Sequence, residues 1–290
     1  MQHLCRLMAW VLIGMLAAPV QADDRGIQRV KEERRTALVI GNGDYDSAPL
    51  RNPVNDARDM AAALEKLGFR VTLEQNASRR RMKTAINQLG KQLKDGGVGL
   101  FYYAGHGIQV KGRNYLLPVD ADIMGESDVE YEAVDAGRVL GKMADAQNRL
   151  NIVILDACRN NPFARSFRKP ETGLARMDAP TGSLVVYATA PGQSAADGEG
   201  KRNGVFTGHL LTFMTQPGLK VEDVLKRTRV AVMKETDNLQ VPWNSSSLTG
   251  DFYFASREFP FVRQMIIRPS IGYNNLVIFY QYRSGNFNDI

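Results

Sequence analysis

The run Asn151-Ile-Val-Ile-Leu-Asp-Ala-Cys158-Arg-Asn-Asn-Pro162 constrains this chain more than any other stretch. Four consecutive aliphatic residues, Ile152 to Leu155, stop at an acid and a thiol and then give way to turn residues. Such a run reads as a strand buried on both faces, as happens where helices cover a parallel sheet from either side. Side chains alternate along an extended segment, so Asp156 and Cys158 are expected on one face. In open α/β sheets ligands bind beyond the carboxyl ends of the strands. A thiol at that point is a candidate nucleophile.

The pattern recurs along the chain. Residues 36–41, 69–73, 97–104, 182–189 and 251–255 read as further strands. Helical spacing runs over 55–67, 78–93, 134–146, 206–214 and 221–234, with Ser78 as a cap and Gly68 as a stop. Strands alternating with helices imply βαβ units. The expectation is an α/β fold, a six-stranded and mostly parallel sheet with helices on both faces, in three layers. Residues 109–118 read as a hairpin turning at Lys111 to Asn114. Gly41-Asn42-Gly43 begins like a dinucleotide fingerprint, but the sixth position is Asp46 and no helix starts directly after it. That argues against a nucleotide site.

Residues 1–22 have the make-up of an export signal: a single Arg6, an apolar core from Leu7 to Ala18, and Val20-Gln21-Ala22 as a small-residue cleavage site. The apolar core is short for a membrane span, which needs about 20 residues; an uncleaved anchor is the competing reading. A polar linker over 23–33, a main domain over 34–255 and an extension over 256–290 complete the expected organisation. The extension carries apolar runs at 259–262 and 276–280 that fit an added hairpin, with no function attached. The expected address is periplasmic or secreted, with no stable membrane span after signal cleavage. The net charge of +6 is scattered, with Arg79-Arg80-Arg81 the one tight run, and no nucleic-acid partner is expected.

Export changes the cysteine arithmetic. Cys5 would leave with the signal, so Cys158 would be the lone thiol of the mature protein and could form no internal disulfide. A buried structural cysteine remains an alternative. Two histidines would also remain. His209 lies in a helical pattern with Phe206, Leu210 and Phe213 and reads as structural or solvent-facing. His106 stands between Gly105 and Gly107 at a strand end, where glycines let backbone approach a ligand. A cysteine nucleophile needs its thiolate, favoured by a nearby imidazolium, and donors for an oxyanion. The backbone N–H groups of Gly107 and Cys158 could supply two. Against this stands a His106 that merely bonds a neighbouring loop.

Tyr102-Tyr-Ala-Gly-His106-Gly and Leu155-Asp-Ala-Cys158-Arg-Asn-Asn-Pro resemble the His and Cys motifs of bacterial caspase-like cysteine peptidases, relatives of metacaspases and caspases. Leu38-Val-Ile-Gly-Asn, Leu50-Arg-Asn-Pro-Val-Asn-Asp-Ala, Asn114-Tyr-Leu-Leu-Pro-Val-Asp and Pro242-Trp with Ser-Ser-Leu-Thr-Gly-Asp-Phe-Tyr-Phe match in the same order, over about residues 34 to 255. The resemblance implies a caspase-like peptidase domain, with His106 as general base and Cys158 as the nucleophile that forms a thioester. Gly107 and Cys158 would form the oxyanion hole. Metacaspase-like members place an acid two residues before the nucleophile, as Asp156 stands here, which implies substrate binding by Asp156 and cleavage after Arg or Lys. A carboxylate bonded to nearby loop N–H groups is the competing reading of Asp156.

The partners implied are protein or peptide substrates, with self-processing at Arg165, Arg168, Lys169 or Arg176. Calcium-requiring members use a cluster of acids, one shortly after the nucleophile. Here Arg159, Asn160 and Asn161 follow Cys158, so no cofactor is expected and a calcium requirement is not carried over. A non-catalytic peptide- or protein-binding module is the other reading of the whole chain; retention of both dyad residues favours the enzyme. An esterase or acyltransferase using the same thiol is a third, and nothing in the sequence resembles a lipid or coenzyme pocket.

Overall fold

The structure, a computed structural model, describes residues 33–158, 163, 167, 173–190, 193, 195, 198, 200–256, 265–268 and 277–280; for Asp95, Cys158 and the last two stretches it describes backbone alone. The expected export signal, the linker up to residue 32, and the self-processing points Arg165, Arg168 and Lys169 lie outside the described residues. So does most of the extension, including 259–262.

The strands are β1 Arg35–Gly41, β2 Arg70–Gln75, β3 Val98–Val110, β4 Arg113–Leu116, β5 Val134–Asp135, β6 Leu150–Cys158, β7 Ser183–Tyr187, β8 Trp243–Ser246, β9 Met265–Arg268 and β10 Val277–Tyr280. The helices are α1 Pro53–Lys66, α2 Arg79–Gln92, α3 Val129–Glu132, α4 Ala136–Asp145, α5 Val205–Met214 and α6 Val221–Glu235. The main sheet runs in the order β2-β1-β3-β6-β7-β8, with β4 and β5 added beside the end of β3. β2, β1, β3, β6 and β7 are parallel, and β8 is antiparallel to β7. The expected mostly parallel α/β sheet is found.

Helix placement follows from strand order and the right-handedness of parallel crossovers. The chain moves one way along the sheet from β1 to β2, through α1. It moves the other way from β2 to β3 and from β3 to β6, through α2 and α4. Opposite moves put the connecting helices on opposite faces. Accordingly α2 packs on α4, while α1 packs on α5 and α5 on α6. Both faces of the central strands are covered, so Leu38 to Ile40 and Ile152 to Leu155 are buried without alternation. The direction of winding reverses between β1 and β3. The crevice beyond their carboxyl ends is where such a sheet binds ligands.

Three details differ from the sequence reading. The sixth strand is Trp243–Ser246, and the expected strand at 251–255 makes only one bridge, from Tyr253 to Lys220. Its aromatics pack inward all the same: Phe252 and Phe254 are buried and meet edge to face. The helix expected from Val134 starts at Ala136, because Asp135 accepts the Gly137 N–H at 2.8 Å as its cap, and Val134–Asp135 pairs with β4. The strand expected to end at Ala104 continues to Val110 and turns at Lys111 and Gly112, both at positive φ, as a two-residue hairpin requires. In the extension, β9 and β10 pair antiparallel as a separate hairpin. Among the described residues no helix is long and apolar enough to cross a membrane.

Candidate active site

The continuation of β3 shapes the site. Ala104 pairs with Asp156 and Gly107 with Cys158, so Gly105 and His106 together stand opposite Ala157. Two residues against one is a β-bulge, which bends the strand and re-aims a side chain. His106 therefore sits in the bulge, at the winding reversal. Gly105 has φ 153°, and a Cβ there would lie 2.7 Å from the Tyr45 hydroxyl and 2.8 Å from that of Tyr103. At Gly107 a Cβ would come within 2.8 Å of the Ala157 carbonyl oxygen. The Gly-His-Gly sequence thus permits both the bulge and the close approach of β3 to β6.

The imidazole of His106 is 4% exposed and lies against the ring of Tyr45, with centroids 4.6 Å apart. Its Nε2 is 2.8 Å from the carbonyl oxygen of Ala48, in the loop after β1. A carbonyl can only accept, so Nε2 carries the hydrogen, and the neutral ring has its lone pair on the buried Nδ1. The loop that orients the ring is itself held. The His106 N–H donates to the Tyr45 hydroxyl at 3.1 Å, and the Tyr103 hydroxyl lies 2.8 Å from the carbonyls of both His106 and Leu117. Burial pushes the Tyr103 phenol well above its usual pKa, so it remains a donor at neutral pH. Asn42, fully buried, accepts from the Ala77 N–H at 2.9 Å and donates to the Leu117 carbonyl at 3.0 Å. The first half of the rejected nucleotide motif is a strut that joins three loops.

Asp156 is 2% exposed. Its Oδ2 accepts from the Thr207 hydroxyl of α5 at 2.7 Å, and the Thr207 oxygen is 2.6 Å from the Tyr102 hydroxyl. A second carboxylate comes to the same helix end: fully buried Asp56 of α1 accepts the Gly204 N–H, just before α5, at 3.0 Å. Gly204 and Thr207 are one helical turn apart, about 5 Å along the axis. Two buried acids therefore bracket the positive end of α5. Asp56 was not among the expected site residues; the signal it carries in the sequence is an acid on the apolar face of a helix, beside Ala57 and Met60.

The structure sets His106, Gly107 and the backbone of Cys158 side by side and puts Asp156 two residues before Cys158 on the same strand. The thiol itself lies outside the described side chains. His209 is elsewhere, bonded to Glu235 at 2.9 Å on the outer surface. Arg176 lies in a segment tied down on both sides. Ala175 exchanges two 2.7 Å bonds with the buried side chain of Asn114, and the Met177 N–H donates to Tyr187 at 2.8 Å. A cleft of about 730 Å³ opens between α2, β4 and α4; Arg176 lines it, but His106, Gly107 and Asp156 do not. Among the described residues no group of three or more His, Cys, Asp or Glu side chains is gathered as for a metal ion.

Residues 34–253 match the family model of peptidase C14, described as the caspase domain. The human mucosa-associated lymphoid tissue lymphoma translocation protein 1 is 29% identical over 175 residues, 59% of this chain and 20% of that protein, and its mouse homolog matches to the same extent. The chain thus spans a fifth of the length of the curated relatives it matches. Among solved structures, the Drosophila initiator caspase Dronc superposes with a TM-score of 0.55 at 14% identity, over 77% of this chain and 83% of that one. That likeness concerns the fold alone.

Proposed function

Because this chain belongs to the caspase-domain family of cysteine peptidases, we propose that it hydrolyses peptide bonds through a Cys158–His106 dyad, after Arg or Lys. The observation that carries this reading is the bulged register of β3 on β6, with Gly107 opposite Cys158 and His106 in the bulge beside them. His106 Nδ1 takes the thiol proton, and the thiolate attacks the scissile carbonyl carbon. The N–H groups of Gly107 and Cys158 receive the developing oxyanion. The C–N bond breaks, His106 returns the proton to the leaving amine, and a thioester remains. Water, deprotonated by the same nitrogen, then displaces Cys158 and releases the acid.

Asp156 receives the cationic side chain before the cut, since buried carboxylates pair selectively with guanidinium or ammonium. The same reading takes the peptidase domain as residues 34–255, behind a cleaved export signal, in the periplasm or outside the cell. Self-processing, if Arg or Lys is the preferred site, would fall at Arg165, Arg168 or Lys169 rather than at the tied-down Arg176.

Fluorogenic peptides ending in Arg, Lys or Asp, given to the wild type and to Cys158→Ala, test the proposal. Turnover after Arg or Lys that vanishes in Cys158→Ala is expected. No turnover of any peptide would favour a binding module, and turnover after Asp alone would refute the role of Asp156. Activity is also expected to survive a chelator, because the chemistry is carried by protein groups; loss on chelation, restored by calcium, would refute that.

A further inference from the structure

We infer that Thr207 is the positioning residue for Asp156, with Tyr102 behind it, and that this pair tunes how well the protein accepts arginine before the cut. The inference rests on the Arg/Lys reading above and concerns how one carboxylate is aimed. The directions of the two bonds follow from chemistry. A carboxylate only accepts, so the single hydroxyl proton of Thr207 goes to Asp156 Oδ2, 2.7 Å away. With that proton committed, the Thr207 oxygen can only accept from the Tyr102 phenol at 2.6 Å. The result is a one-way chain from phenol to hydroxyl to carboxylate. All three residues are buried, at 2% exposure or less.

The chain joins three elements that the fold already holds in register. Tyr102 pairs with Ile154 and Ala104 with Asp156, so by strand alternation Tyr102 and Asp156 share one face of the sheet, the face covered by α5. Thr207 lies in the first turn of that helix. The terminal torsion of an aspartate is broad and nearly two-fold. The hydrogen bond from Thr207 to one oxygen restricts the plane of the carboxylate. That plane matters more for one substrate than for the other. A guanidinium is a flat fork that pairs best with a carboxylate in its own plane, whereas an ammonium is a point charge indifferent to it.

The test uses the full chain and peptides ending in Arg or Lys. Thr207→Val keeps the shape and removes the hydroxyl. It is expected to raise KM for the Arg peptide about tenfold, with kcat within about twofold and a clearly smaller change for the Lys peptide. Thr207→Ser, which restores the hydroxyl, should return KM to within about twofold of wild type. If Thr207→Val does not fold, Tyr102→Phe decides, with an expected rise of about threefold in KM for Arg. Unchanged KM for Arg in the folded variant, or a fall in kcat alone, would overturn the inference while leaving cleavage after Arg or Lys intact. A wild type that cleaves only after other residues would instead remove the reading beneath it.

Discussion

Tyr102 and Tyr103 are neighbours on β3, yet their hydroxyls serve opposite faces of the sheet by different means. The Tyr103 hydroxyl sits among loops, 2.8 Å from two carbonyl oxygens and 3.1 Å from the Tyr45 hydroxyl. The Leu117 carbonyl that it meets is also a partner of Asn42 and Tyr45. This side is a knot of backbone and loop groups that closes the bulge around His106. Tyr102 instead heads a linear relay to Thr207 and Asp156, three residues on regular elements. In the knot each group has several partners, so a deletion orphans several buried atoms at once. In the relay Thr207 is the one link that joins Tyr102 to Asp156, so a change there acts along a single line. His106, the proposed base, is therefore held by structure tied closely to the fold, and Asp156, the proposed specificity carboxylate, by structure that can be tuned.

The sharpest way to break this contrast is at Gly105. Its φ of 153° and the two hydroxyls within 3 Å of a built Cβ leave no room for a side chain. Gly105→Ala should cost roughly 3 kcal/mol or more through backbone strain and overpacking, and turnover should be lost with it. Denaturant unfolding together with peptide hydrolysis measures both. A variant of native stability would show that the knot is looser than its contacts imply.

Tyr103→Phe is the next largest. It leaves the buried His106 and Leu117 carbonyls with fewer donors, at about 1–3 kcal/mol, and lets the bulge shift, so kcat for Arg and Lys peptides should fall together. That is the opposite signature to Tyr102→Phe, where KM for Arg changes and kcat does not. If both phenylalanine variants gave the same split, the two faces would not be separate devices.

The parallel core, the helices and the flanking motifs were legible in the sequence because burial on both faces writes uninterrupted aliphatic runs such as Ile152 to Leu155. The sixth strand was not. Trp243-Asn-Ser-Ser is mostly polar, as suits an edge strand half-covered by its neighbours, whereas Asp251-Phe-Tyr-Phe-Ala reads as a strand yet packs its rings inward with almost no ladder. The Gly-His-Gly motif pointed to His106, but a glycine reads equally as a strand end or a bulge; only the register with β6 decides. Thr207 and the Ala48 carbonyl were illegible, and Asp56 showed only as an acid on an apolar helix face, for a common reason. Each acts through a partner distant in sequence, and a backbone carbonyl leaves no trace in residue identity at all.

The smallest effect tests whether the relay side is as independent of loops as it looks. Asp59 of α1 takes both the Nε and an Nη of Arg202 at 2.8 Å and the Asn203 amide at 2.9 Å, two residues and one residue before Gly204 at the head of α5. The hydrogen bond from Arg202 is the main cause that lowers the Asp59 pKa, and burial opposes it. A carboxylate with a lowered folded-state pKa contributes stability that is fully present above its unfolded value, about 4, and is lost as the pH falls through the folded value. The Arg202 side chain is 58% exposed, so the contribution is that of a screened surface pair. Asp59→Asn should therefore lower Tm by only roughly a degree or two at neutral pH. The deficit should shrink with added salt and disappear in acid, where the wild-type carboxylate is itself protonated. KM for Arg peptides should hardly move, because Asp56, Gly204 and the relay remain. A rise in that KM as large as the one expected for Thr207→Val would mean that the loop before α5 aims Asp156, and that both faces of β3 are governed by loops.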